Sequence, residues 1–183
     1  YTNEDLMWLR RTAGAYVVEA TEADRSAYRL YPQSLVEYLR DDTVAPSIHA
    51  AFLDVFTRAV PYGADGRRDW SRAHPYALRY LATHASNADR LDVLLQDAGY
   101  LVHAAPRSLT PLLHNTRSEA ARTTSTIYRS CLPLLLESTP EQRRLVMATS
   151  AAVLKATDLL DHLNSEVHQS GWTVRWAAGE AAS

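Results

Sequence analysis

Residues 15–39, AYVVEATEADRSAYRLYPQSLVEYL, decide how this chain is read, because two short alternating segments meet at a polar turn and lead into an amphipathic helix. Tyr16, Val18 and Ala20 share one face of a first strand, and Ser26, Tyr28 and Leu30 share one face of a second. Glu22, Ala23, Asp24 and Arg25 supply the polar connection. Pro32 then opens a helix whose Leu35, Val36 and Leu39 lie on one side. Upstream, Asn3 is an N-cap with Glu4 and Asp5 in the first turn, where the helix dipole favours negative charge. Leu6, Leu9 and Ala13 follow at helical spacing, and Gly14 suits the left-handed closing position. Helix, hairpin, helix is the order of part of a winged-helix domain.

Downstream the pattern turns helical. Over residues 46–59, Ile48, Ala51, Phe52, Val55 and Ala59 draw an apolar stripe, and Pro61 stops it. Residues 62–69 carry Gly63 and Gly66 among charged neighbours and read as an exposed loop. Pro75 fits a first helical turn, with Tyr76, Tyr80, Leu81 and His84 following at helical spacings. A short helix over 87–97 is expected to end at Gly99, giving a helical hairpin. Another covers 106–115, and a longer one covers 118–138, interrupted by Pro133, which removes a donor and crowds the Arg129 carbonyl. Thr139, Pro140 and Gln142 form a helix start with cap, first-turn proline and capping-box partner. Leu145, Ala148, Ala152 and Val153 form one stripe; Leu159, Leu160 and Leu163 form another after a restart near Thr157.

The expected fold class is mainly α with a small β-hairpin: a partial winged helix, then an α-helical bundle or solenoid-like linker. The expected domains are 1–42, 43–171 and a flexible tail or joint at 172–183. No fixed repeat period appears. The opening at Tyr1, with a cap two residues later, reads as a piece of a longer protein.

Residues 28–39, YRLYPQSLVEYL, together with 69–85, DWSRAHPYALRYLATHA, then 90–95, RLDVLL, and 100–104, YLVHA, resemble a known family. They are similar to the winged-helix and helical-linker region of actinobacterial NACHT-type STAND ATPases, switch proteins related to NOD-like receptors, over roughly residues 4 to 176. The resemblance implies a non-catalytic regulatory region that transmits state between an ATPase core and a C-terminal WD40 or helical-repeat sensor of the same parent chain. Signal transduction in bacterial defence is one setting it allows, and homo-oligomers are another implication. The parent would use ATP and ADP with Mg. In NOD-like receptors a winged-helix histidine touches the ADP β-phosphate; aligned on Ser34, Glu37 and Tyr38, that position is Pro32, which has no side-chain donor. Trp70, Tyr76, Tyr80 and Leu81, just after the glycine-containing loop, form the expected interaction surface.

Chemistry is sparse. A phosphate loop needs glycines ending in Lys-Ser or Lys-Thr, and the single lysine, Lys155, stands in LKAT without one. No catalytic residues, cofactor ligands or metal ligands are expected within this chain. His49, His74, His84, His103, His114, His162 and His168 form no zinc-ligand pattern. His74 and His84 read as structural hydrogen-bonders, and Asp158 with His162 as an exposed helical pair. Cys131 lies in an apolar run and reads as inert core, compatible with a reducing cytoplasm. Arg10–Arg11, Arg67–Arg68 and Arg143–Arg144 read as solvated pairs. A net charge of -2 gives no electrostatic reason to expect nucleic acid, and no apolar run suits a bilayer. The competing expectation is a winged-helix DNA-binding regulator with a helical dimerisation domain, although residues 3–13 offer only Arg10 and Arg11 as phosphate contacts.

Overall fold

A computed structural model describes residues 45–165 and 173–175, the two strands at 17–22 and 25–30, and the isolated helical positions Glu4 and Met7. Tyr1–Ala45 and Pro46–Ser183 form two compact units, a division three residues beyond the boundary expected after Asp42. In the first unit β1 (Val17–Glu22) pairs antiparallel with β2 (Arg25–Leu30), Val17 opposite Leu30 and Glu22 opposite Arg25. Glu22 and Arg25, expected in the turn, therefore belong to the ladder, and two residues remain between the strands. The helices expected at 3–13 and 32–39, with Arg10, Arg11 and Pro32, lie outside the described residues, apart from Glu4 and Met7.

The second unit is helical. Its elements are α1 (Ala45–Ala59), a 3-10 turn (Trp70–Arg72), α2 (Pro75–Asn87), α3 (Leu91–Leu94) and α4 (Ala98–His103). There follow α5 (Pro106–Leu109), a second 3-10 segment (Thr110–Asn115), α6 (Glu119–Glu137), α7 (Pro140–Val153) and α8 (Thr157–Ser165). Local chemistry explains the starts. Pro75, Pro106 and Pro140 stand in first turns, where a missing N–H costs nothing. Ser118 caps α6 through the Ala121 N–H, and Thr139 and Gln142 complete a reciprocal capping box on α7. Asp92 reaches across to accept from the Arg117 and Ser118 N–H groups. Burial works to raise the Asp92 carboxyl, but those backbone donors leave it below the usual carboxylate range.

Two expected boundaries are corrected. The helix over 87–97 does not form: α2 runs to Asn87, Asp89 takes a left-handed backbone with φ 55°, and only the short α3 follows. Gly99 does not end a helix either. It lies buried inside α4, because the Asp97 carboxylate caps that helix through the Tyr100 N–H at 3.0 Å and so starts it one residue earlier. Pro133 leaves α6 continuous to Glu137.

The core runs the length of this unit. Trp70, Leu81, Tyr100, Leu113, Ile127 and Leu163 are among its fully enclosed side chains, and α7 packs against both α6 and α8. Val174, placed in a joint and tail by the sequence, packs partly against this core, and its N–H and carbonyl both bond the Asn164 side-chain amide, at 3.0 and 2.7 Å. Among the described residues no helix is long and apolar enough to cross a membrane.

Candidate functional site

The four residues expected to form an interaction surface divide into two kinds. Trp70 is 1% exposed and Leu81 fully buried, both in the core cluster of the helical unit. Trp70 meets Tyr100 edge-on at 5.0 Å between ring centroids, and its indole N–H donates to Asp97 Oδ2 at 2.9 Å. These two are interior supports, not docking residues: once the loop at 62–69 folds back through the Tyr62–Arg68 bridge, the Trp70 side chain faces inward. Tyr76 and Tyr80 are half-buried, their rings 4.9 Å apart on the side of α2 that meets α1. They belong to a cluster of polar and aromatic groups contributed by α1 and α2.

That cluster lies between α1 and α2. His49 of α1 and His84 of α2 point their Nδ1 atoms at each other at 2.8 Å, and the far nitrogen of His84, Nε2, lies 2.9 Å from the Tyr76 hydroxyl. Phe52 stacks on the His84 ring at 4.9 Å, and Phe56 stacks on Tyr76 at 4.8 Å. His84 is 9% exposed; burial first, then the adjacent His49, holds it below its ordinary value of 6.5. His74 caps α2, its Nδ1 accepting from the Tyr76 N–H at 3.1 Å. Two imidazoles and a phenol can pass or share a proton.

The stripe expected to bury α1 stays largely open, although its Phe52 also lies against the His84 ring. Ile48, Phe52 and Val55 are 49%, 43% and 59% exposed, and Ala51 and Ala59 are exposed with them. The side of α1 that enters the core carries Leu53, continued by Val60 just past the helix end, with Phe56 and His49 partly covered. Both sets recur at helical spacing, so periodicity identifies the helix without identifying which face is inside.

The arginine pairs are also more varied than expected. Arg143 is half-buried, and its guanidinium donates to the carbonyls of Leu135 at 2.9 Å, Ala104 at 3.2 Å and Val102 at 3.4 Å. Arg144 is only 2% exposed. Arg68 donates to the Thr57 carbonyl at 2.5 Å, whereas Arg67 is exposed. Cys131 is buried, with its sulfur 3.0 Å from Ser150 Oγ. Asp158 and His162 are both exposed on α8. Among the described residues no group of three or more His, Cys, Asp or Glu side chains is placed to hold a metal ion.

Comparison of the chain with protein-family models, curated proteins and solved structures returns no significant match.

Proposed function

We propose that this chain is a non-catalytic regulatory and interaction region of a cytoplasmic NACHT-type STAND ATPase, carrying state between that protein's ATPase core and its sensor. The observation that carries this reading is the apolar stripe of α1, Ile48, Phe52 and Val55, left open by a helical unit whose opposite faces close around a continuous core. A helix that gives one face to its own core and keeps a second apolar face is suited to meet another protein surface. The resemblance of residues 28–39 and 69–85 to the winged-helix and linker segments of that family supplies the setting. In it, Pro32 offers nucleotide phosphate no side-chain donor, and the finer fold of the first unit is a partial winged helix.

The test is a charge placed on the stripe. Val55→Asp should leave the unfolding free energy of the 183-residue chain within about 0.5 kcal/mol, since the site is exposed and away from caps and core. In the parent ATPase the same change should uncouple ligand sensing from nucleotide exchange. A parent that still couples normally would remove the stripe from the mechanism. The DNA-binding alternative makes a different demand: a gel shift of duplex DNA by the chain, weakening steeply as salt rises. Such a shift would favour that alternative over the regulatory reading.

A further inference from the structure

His49 and His84, 35 residues apart in sequence, form with Tyr76 a group that has no role in the regulatory reading. Its geometry sets a strict proton count. Two imidazole Nδ1 atoms at 2.8 Å need one hydrogen between them, one ring donating and the other accepting. With both rings neutral the bond forms in either direction, and Tyr76 adapts, because its hydroxyl accepts from His84 Nε2–H or donates to a bare Nε2. One added proton is also accommodated: one ring then carries both hydrogens and its Nδ1–H donates to the other. A second proton is not: two Nδ1–H groups would face each other across the same gap, each carrying a positive charge.

Among the described residues, the charged groups on the elements packed around the pair are engaged elsewhere or open to solvent. From α1 the facing titratable group is His49 itself, while Asp54 is taken by Arg90 at 2.7 Å. Within α2, Tyr76 faces His84, Tyr80 lies against Tyr76, the Arg79 guanidinium sits over the Tyr80 ring, and His74 is engaged as a cap. Of the other elements packed on α2, α3 brings Asp92, bonded to Arg117 and Ser118; α5 brings Arg107, exposed to solvent; the second 3-10 segment brings His114, bonded to the Pro111 carbonyl. Among the described residues no carboxylate is ion-paired with either imidazole.

The geometry points to a proton-operated latch: the His49–His84 bond fastens α1, the helix bearing the exposed Ile48, Phe52 and Val55 stripe, to α2 at neutral pH, and a second proton releases it in mild acid. The direction of the His84 shift agrees. A histidine held below its ordinary value favours the neutral form in the folded state, so its contribution is present above about 6.5 and is lost as pH falls through the lower folded value.

Hydrogen exchange on the full 183-residue chain, corrected for the intrinsic pH dependence of amide exchange, reads the latch directly. Between about pH 7.5 and about pH 5, protection of α1 amides should fall by about tenfold or more, while protection in α6 and α7 falls much less. The double variant His49→Gln/His84→Gln, which cannot titrate at this pair, should show no α1-specific loss. Wild-type α1 protection that holds to pH 5, or an equal loss in the double variant, overturns the latch. Should the double variant fail to fold, nitrogen NMR of the wild-type imidazoles decides. Two separated protonation steps, the lower coinciding with α1 opening, support it. Two independent titrations near the ordinary value overturn it.

Discussion

Trp70→Ala should destabilise the helical unit by about 3 to 5 kcal/mol, measured as the loss of unfolding free energy in denaturant titration. The indole is enclosed, meets Tyr100 edge-on at 5.0 Å and gives its N–H to Asp97 Oδ2 at 2.9 Å. Truncation therefore leaves a cavity and removes a hydrogen bond together. The second loss matters because the other oxygen of Asp97 caps α4 through the Tyr100 N–H. Trp70→Phe separates the two effects: it restores most of the volume and only the hydrogen bond is missing, so its cost should be smaller, about 1 to 3 kcal/mol. Equal costs for the two variants would mean that packing contributes little there. Since Trp70 supports the fold from within, its loss reports stability and cannot serve as a clean probe of docking; the α1 stripe is the better probe.

Arg143→Ala should cost about 3 kcal/mol by the same measurement. The Arg143 guanidinium gathers three carbonyls that their own helices leave without partners: Leu135 near the end of α6, and Val102 and Ala104 at the end of α4. A cation is well matched to the negative ends of two helices at once. Lysine keeps the charge but not the planar fork, so Arg143→Lys should recover only part of the stability. Full recovery by lysine would show that charge alone is what those carbonyls require.

What could be read in the sequence follows from how local each cause is. Pro75, Pro106 and Pro140 marked three starts, and the Thr139–Gln142 box formed both of its bonds, because a cap involves only residues within one turn of each other. Leu159, Leu160 and Leu163 are all buried on α8 for a similar reason, as the only apolar side of a short helix. Gly99 misled because a glycine after a leucine-rich segment resembles a helix stop, and the competing signal, Asp97 as a cap two residues earlier, starts a helix through the same stretch. On α1 two apolar faces competed, and the larger one is the exposed one.

The site was less legible, for a physical reason. His84 reads as a structural hydrogen-bonder, but its partner His49 comes from another helix, and no local spacing links the two. The Arg143–Arg144 pair looked solvated because adjacent arginines usually are. The carbonyls that draw Arg143 inward belong to helix ends brought together by tertiary packing alone.

The central claim is that this chain is a regulatory region without nucleotide chemistry of its own, and calorimetric titration of the 183-residue chain with ADP and with Mg-ATP tests it most directly. The sequence lacks a phosphate loop, and Pro32 stands where the resembling proteins offer a histidine to the β-phosphate. The account predicts no heat of specific binding for either nucleotide at ligand concentrations up to about 1 mM, corresponding to less than about 4 kcal/mol of affinity. Stoichiometric binding of ADP or Mg-ATP with a micromolar dissociation constant would contradict it.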